Sequence, residues 1–313
     1  MKILVTGHCG FIGQNFVRLF KDKYEIIGFD KLGYASDPNA FDLCEGMVGD
    51  LAKADCVDDF FKKYGPFSYI YHFAAESHVD NSINSPEPFI QSNIIGTFNL
   101  LEAVRKYNKD ATVVIIGTDE EYGSLNYTEP PFTTVSPLFP SSPYSASKAS
   151  ASLLGKSYNT TYGLWVVFTK SVNNYGPYQY YEKLIPVVIN CALNDKPIPV
   201  YGNGKNVREW IFVEDNCKGI LEAGTKSMPG MISFIGTGNE FSNIDLIKMI
   251  LKLMNKPESL ISFIEDRKGH DKRYALDSKH YPTPWEPKID IYTGLEKTIE
   301  WYMNNKNYWR TND

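Results

Sequence analysis

The chain opens Met1-Lys2-Ile3-Leu4-Val5-Thr6-Gly7-His8-Cys9-Gly10-Phe11-Ile12-Gly13, and the reading of this stretch decides the fold. The apolar, β-branched run from Ile3 to Thr6 suits a buried strand. From Phe11 to Phe20 apolar residues fall at 11, 12, 16, 17, 19 and 20, the spacing of an amphipathic helix. Gly7, Gly10 and Gly13 lie between the two, where missing side chains let the backbone approach a pyrophosphate at the positive helix terminus. Asp30 follows the next strand-like run, Glu25 to Phe29. Its carboxylate can accept from both ribose hydroxyls and repels a 2′-phosphate, which favours NAD over NADP, although Lys31 beside it could offset part of that repulsion.

Outward from this loop the β-type runs continue at Tyr69 to Phe73, Thr112 to Ile116 and Trp165 to Thr169, separated by helical stretches such as Asn93 to Tyr107. Alternation of this kind predicts an α/β protein with a Rossmann-type doubly wound parallel sheet. After about residue 175 the rhythm changes: Pro177, Pro186, Pro197 and Pro199 interrupt shorter elements. We expect residues 1–175 to form an NAD-binding domain and 176–313 mainly a smaller C-terminal α/β substrate-binding domain. Segments near 207–240 could return to the first, since Trp210 to Val213 and Met231 to Ile235 are strand-like.

Composition narrows the function. A net charge of -5 and the lack of a long Lys/Arg run leave nucleic acid without an electrostatic source of attraction. No stretch approaches the length of a membrane span and no signal-peptide pattern precedes the glycine loop, so the expectation is a cytoplasmic protein with no membrane partner. Five scattered cysteines, Cys9, Cys44, Cys56, Cys191 and Cys217, show no C-x-x-C pair and no clustered histidines, so neither disulfides nor a bound metal is expected. Cys9 in the glycine loop could be a reactive thiol, but a packing role is favoured.

Tyr144 and Lys148 stand at i and i+4 near the start of a helix signalled by Ser142 as N-cap and Pro143 in the first turn, so both project from one face. A lysine cation there can lower the phenol's pKa and make it a base. The spacing alone is weak, because Tyr201 with Lys205 and Tyr302 with Lys306 repeat it. Only Tyr144 follows a strand that ends in Thr118-Asp119-Glu120, at the carboxyl edge where such sheets hold ligands. Asp50, after Met47 to Gly49, is a candidate for the adenine end, or an ordinary strand-end aspartate.

Read together, these stretches resemble the extended short-chain dehydrogenase/reductases and, among them, most closely the dTDP-glucose 4,6-dehydratases. The resemblance rests on Gly7 to Gly13, Ala74 to Asp80, Thr118-Asp119-Glu120, Ser142 to Ala149, Asn173 to Gln179, Glu182 to Pro186 and Gly269-His270-Asp271. It implies an NAD-dependent lyase acting on a nucleotide-diphosphate hexose. Thr118, Asp119, Glu120, Tyr144 and Lys148 would be catalytic: Tyr144 takes the proton of the sugar 4-hydroxyl, Lys148 tunes it and Thr118 positions the hydroxyl. Glu120 would remove the carbon 5 proton and Asp119 would protonate the departing carbon 6 hydroxyl. The resemblance further assigns Phe11, Ile12, Leu51, Ala74 and Ala75 to the cofactor and Ser77, His78, Asn174, Lys183, Leu184, Arg208 and His270 to the substrate. It also implies a homodimer through helices near Asn93 to Tyr107 and Tyr144 to Tyr162.

Asp119 must then begin protonated and Glu120 ionised, so their environments have to push two neighbouring carboxyls apart. The chain also departs from the family. Glu121 replaces a usual apolar residue, and we expect it to point into solvent; His8 replaces a Gly, Lys170-Ser171-Val172 an Asn-Cys-Ser, Tyr181 a Pro and Phe234 an Asn. A UDP-glucose 4,6-dehydratase and a nucleotide-sugar 4-epimerase are the alternative enzymes, the second of which Asp119-Glu120 argues against. A non-catalytic NAD sensor or scaffold is the alternative of another class, against which the complete Thr/Tyr/Lys set argues.

Overall fold

The protein is described by a computed structural model covering residues 1–266, 269–278 and 285–309. Its strands among these residues are β1 (Lys2–Thr6), β2 (Glu25–Asp30), β3 (Glu45–Val48), β4 (Tyr69–His72), β5 (Thr112–Thr118), β6 (Val166–Ser171), β7 (Asn173–Tyr175), β8 (Ile198–Tyr201), β9 (Val207–Phe212), β10 (Ile232–Ile235), β11 (Glu240–Ser242) and β12 (Ile261–Ile264). The α-helices are α1 (Phe11–Phe20), α2 (Ala54–Tyr64), the short α3 (Val79–Asn84) and α4 (Glu87–Phe89), α5 (Gly96–Tyr107), α6 (Pro143–Tyr162), α7 (Leu184–Leu193), α8 (Val213–Lys226), α9 (Asn243–Leu253) and α10 (Ile291–Asn304).

Seven strands form one sheet in the order β10-β6-β5-β4-β1-β2-β3, with every pairing parallel. Because side chains alternate across a strand, successive residues feed opposite cores. Leu4, Val113 and Ile115 pack with Val57 and Phe60 of α2 and Leu100 and Val104 of α5. Ile3, Val5, Val114 and Ile116 pack instead with Phe16 and Val17 of α1 and Cys217 and Ile220 of α8. Both faces are thus covered, as a parallel sheet requires.

The chain after β6 builds two smaller sheets, β11-β9-β7 and β12-β8, around a third core in which Ile185, Val188 and Ile189 of α7 meet Leu246 and Ile250 of α9 and Leu295 of α10. It returns to the main sheet once: α8 packs on β5 and β6, and β10 pairs with β6. The stretch expected as a strand from Trp210 to Val213 is β9, which starts earlier and stays in the small sheet, while Val213 opens α8.

Other boundaries also differ. β3 was not expected, because it is an edge strand with no fully buried residue and little apolar periodicity to mark it. β6 runs on to Ser171, since Lys170 and Ser171 find partners in Gly117 and Thr118 of β5. The helix expected from Asn93 becomes α-helical only at Gly96, the residues Ile90–Ile95 being wound as a π-helix. No described helix is long and apolar enough to cross a membrane.

α1 is held to the sheet by Phe16, which is fully buried and has Phe20, Tyr71 and Phe73 rings at centroid distances of 4.9, 4.7 and 5.3 Å. Phe16→Ala should therefore lower the unfolding free energy by about 3–5 kcal/mol. Urea unfolding of the two proteins under identical conditions checks this, and a loss under about 1 kcal/mol would show that α1 is anchored elsewhere.

Candidate active site

At the carboxyl edge of the main sheet an inner cleft of about 310 Å³ meets an outer one of about 700 Å³, with Glu120, Asn174 and Lys183 lining both. The expected residues Gly7, Gly10, Phe11, Ile12, Gly13, Asp30, Lys31, Asp50, Leu51, Ala74, Ala75, Thr118, Asp119, Tyr144 and Lys148 line the inner cleft. Ser77 faces both, and His78, Leu184, Arg208 and His270 line the outer one.

The floor of the inner cleft is backbone. Gly7 has φ +71°, and a Cβ on it would lie 2.6 Å from the Ala74 nitrogen; one on Gly13 would collide with the Gly7 carbonyl. α1 begins after Gly10 with neither a side-chain cap nor an acidic residue in its first turn, so its free N–H groups are left for an anion. These features fit a dinucleotide's pyrophosphate. The Asp30 carboxylate accepts from the Cys9 N–H at 2.9 Å and the Leu32 N–H at 2.7 Å, which fixes it at the end of β2. Lys31 pairs with Glu76 at 2.5 Å and donates to Ser92 at 2.7 Å, so its charge is already matched. Asp50 accepts from the Ala52 N–H at 2.9 Å, a strand-end turn, yet still lines the cleft.

Two histidine expectations need adjusting. His8, Cys9 and Asp30 offer donor atoms within 4.8 Å of one another, a grouping not anticipated from the scattered cysteines. Burial pushes the Cys9 thiol up, and Asp30 is engaged by backbone, so the cluster is that of a packed loop. His78 caps α3 by accepting from the Asn81 N–H at 3.3 Å while also lining the outer cleft.

The Thr118 hydroxyl, at the end of β5, donates to Asp119 at 3.0 Å. Asp119 is fully buried, and burial first, then the charge of Glu120, pushes its carboxyl up to about 8. The two carboxyls thus occupy the unequal environments that acid and base roles require. Ser142 caps α6, accepting from the Ser145 N–H at 3.1 Å, and Pro143 fills the first turn. Tyr144 and Lys148 consequently share the buried face of that helix.

Burial first, then Glu120, Glu121 and Asp119, push the Tyr144 phenol well above its usual value, with the Thr118 hydroxyl opposing. Lys148, expected to lower this phenol, is not among the leading influences on it. The ammonium donates to the Ile116 carbonyl at 2.6 Å and is itself held down to about 8 by burial. Glu121, expected in solvent, is fully buried against Lys170, because the turn Asp119–Tyr122 curls its side chain back beneath β5.

In the outer cleft Arg208 is held by the Val207 carbonyl at 2.7 Å and the Asp271 carbonyl at 3.0 Å, with its guanidinium 4.2 Å from the Tyr274 ring. Lys183 donates to the Ser77 carbonyl at 3.0 Å, and His270 pairs with Asp266 at 2.6 Å. The buried Asn174 Oδ1 and Asp119 Oδ2 have no hydrogen-bond partner, and both residues line the inner cleft. Gln179, Trp210 and Tyr274 also line it and were missed. Gln179 lay within a quoted motif, whereas Tyr274 carries no local signal and is brought in by the chain beyond β12.

A sequence profile described as GDP-mannose 4,6 dehydratase matches residues 4–298. The dTDP-glucose 4,6-dehydratase of Haemophilus influenzae is 41% identical over 97% of this chain and 98% of its own. A dTDP-glucose 4,6-dehydratase from Streptomyces venezuelae, solved with NAD and TYD bound, superposes with a TM-score of 0.93 at 38% identity, covering 99% of each chain. The UDP-glucose 4-epimerase of Thermotoga maritima shares the fold at a TM-score of 0.91 and 26% identity, over 98% of this chain and 100% of that one. The chain belongs to the GDP-mannose 4,6 dehydratase family, at nearly full length and alongside the dTDP-glucose 4,6-dehydratases.

Proposed function

We propose that this chain is an NAD-dependent dTDP-glucose 4,6-dehydratase, a lyase that forms dTDP-4-keto-6-deoxyglucose with loss of water. The observation that carries the reading is the Asp119/Glu120 pair, one carboxyl buried and pushed up to about 8 and the other at the junction of two clefts, on the sheet edge that also carries Tyr144 and Lys148. An epimerase needs no such pair. The glycine-floored inner cleft would hold the cofactor, with Asp30 on its ribose. The outer cleft, with Arg208 and Lys183, would take the nucleotide diphosphate. The main sheet thereby serves the cofactor, and the part built largely from residues after 175 serves the sugar nucleotide.

NAD, when bound, supplies a positively charged hydride acceptor for carbon 4 and returns the hydride at carbon 6. Tyr144 receives the proton of the sugar 4-hydroxyl once positive charge in the cleft offsets the burial and the carboxylates that hold its phenol up, and Lys148 is the protein's own contribution to that charge. Thr118 orients the hydroxyl. The resulting ketone acidifies carbon 5, whose proton passes to Glu120, while Asp119 protonates the carbon 6 hydroxyl and water leaves; a proton then returns to carbon 5.

We further propose a cytoplasmic homodimer. All five cysteines are free. Phe98 on α5 and Leu153 and Tyr162 on α6 expose large apolar surface on adjacent helices, as a four-helix interface between two copies would require.

Incubation with dTDP-glucose should give a product lighter by one water in mass spectrometry, with dTDP-glucose preferred in a panel of UDP-, CDP- and GDP-hexoses. An isobaric hexose would select the epimerase, and a panel without any product the non-catalytic reading. Turnover should also fall as pH rises through about 8, where Asp119 loses the proton it must donate and Lys148 loses its charge. A kcat profile still rising above that pH would remove Asp119 from the acid role. Sedimentation should find a dimer that Phe98→Glu converts to monomer; an unchanged dimer would place the interface elsewhere.

A further inference from the structure

Two oppositely charged residues far apart in the sequence meet inside the protein. Lys170 of β6 and Glu121 of the turn after β5 form an ion pair with both side chains buried. Such a pair costs desolvation twice, so stability alone does not account for it. Its partners supply a further reason. The Lys170 ammonium also donates to the Ser152 hydroxyl at 2.6 Å, and Ser152 donates to Glu121 Oε2 at 2.9 Å. The other carboxylate oxygen accepts from the Thr118 N–H at 3.1 Å. Glu121 therefore ties the turn bearing Asp119 and Glu120 to the helix bearing Tyr144 and Lys148. Gly117 is what admits it, since a Cβ there would collide with the Glu121 carboxylate and lie 2.6 Å from Lys170 Nζ.

Ser152 follows Lys148 by four residues on the same buried face, and the Glu121 charge acts on the Lys148 ammonium, favouring its charged form. With Lys170 removed, Lys148 would be the nearest cation able to neutralise Glu121. We propose that Lys170 is a positioning residue for the reaction: by holding Glu121 it keeps that carboxylate off Lys148, which stays on the Ile116 carbonyl beside Tyr144. The two charges are thus interdependent. Glu121 alone would draw Lys148 out of place, and Lys170 alone would be a buried, unpaired cation.

This inference rests on the 4,6-dehydratase reading, which wild-type turnover tests separately: wild type without product sinks that reading, whereas the inference is decided by comparing variants of an active protein. Lys170→Met should lower kcat with dTDP-glucose about tenfold to a hundredfold, the scale of a misplaced catalytic group, with KM within about twofold. The double variant Glu121→Gln/Lys170→Met removes both charges and keeps an amide oxygen for the Thr118 N–H. It should recover kcat to within about threefold of wild type, an outcome that mere loss of packing would not give. If Lys170→Met does not fold, Lys170→Gln, which keeps a donor to Glu121 without the charge, takes its place with the same expected pattern. Wild-type kcat in the single variant, or no recovery in the double, overturns the proposal.

Discussion

A strand that ends inside a protein and is followed by three carboxylates in succession has to accommodate them, and the turn after β5 does so in three different ways. Asp119 keeps its proton, because full burial and the neighbouring charge of Glu120 make ionisation expensive. Glu120 lies where the two clefts meet. Glu121 turns back under the sheet to a buried lysine. Three residues with the same functional group thereby acquire three different surroundings.

The surroundings follow from the architecture. β5 lies between β4 and β6 near the middle of a parallel sheet, with α6 on one face and α8 on the other, so its end has water only through the cleft. The same arrangement brings Tyr144 and Lys148 to that end on a helix whose entry is set by Ser142 and Pro143. It also leaves the first turn of α1 facing the cleft across a floor of glycine backbone. Sheet order, rather than any single contact, makes the dinucleotide loop, the phenol and the carboxylates neighbours.

Much of this was legible because it is local. Gly7, Gly10 and Gly13 between an apolar strand and an amphipathic helix, the Ser142-Pro143 cap, and the i, i+4 pair of Tyr144 and Lys148 are patterns in which backbone geometry converts spacing directly into direction. The expected residues consequently fall along one continuous cleft. Less legible were elements without periodic contrast, such as the edge strand β3, and residues delivered by distant chain, such as Tyr274.

What the sequence determined by itself is the sheet class, the dinucleotide loop and the set of candidate reacting groups, since these depend on short-range periodicity and on functional groups that are present in any fold. What only the tertiary structure decided is the protonation and partnership of those groups. Whether Glu121 meets water or Lys170, whether Lys148 faces a phenol or the Ile116 carbonyl, and whether Asp119 keeps its proton depend on desolvation and on charges far away in sequence, which become neighbours only when the sheet closes over them.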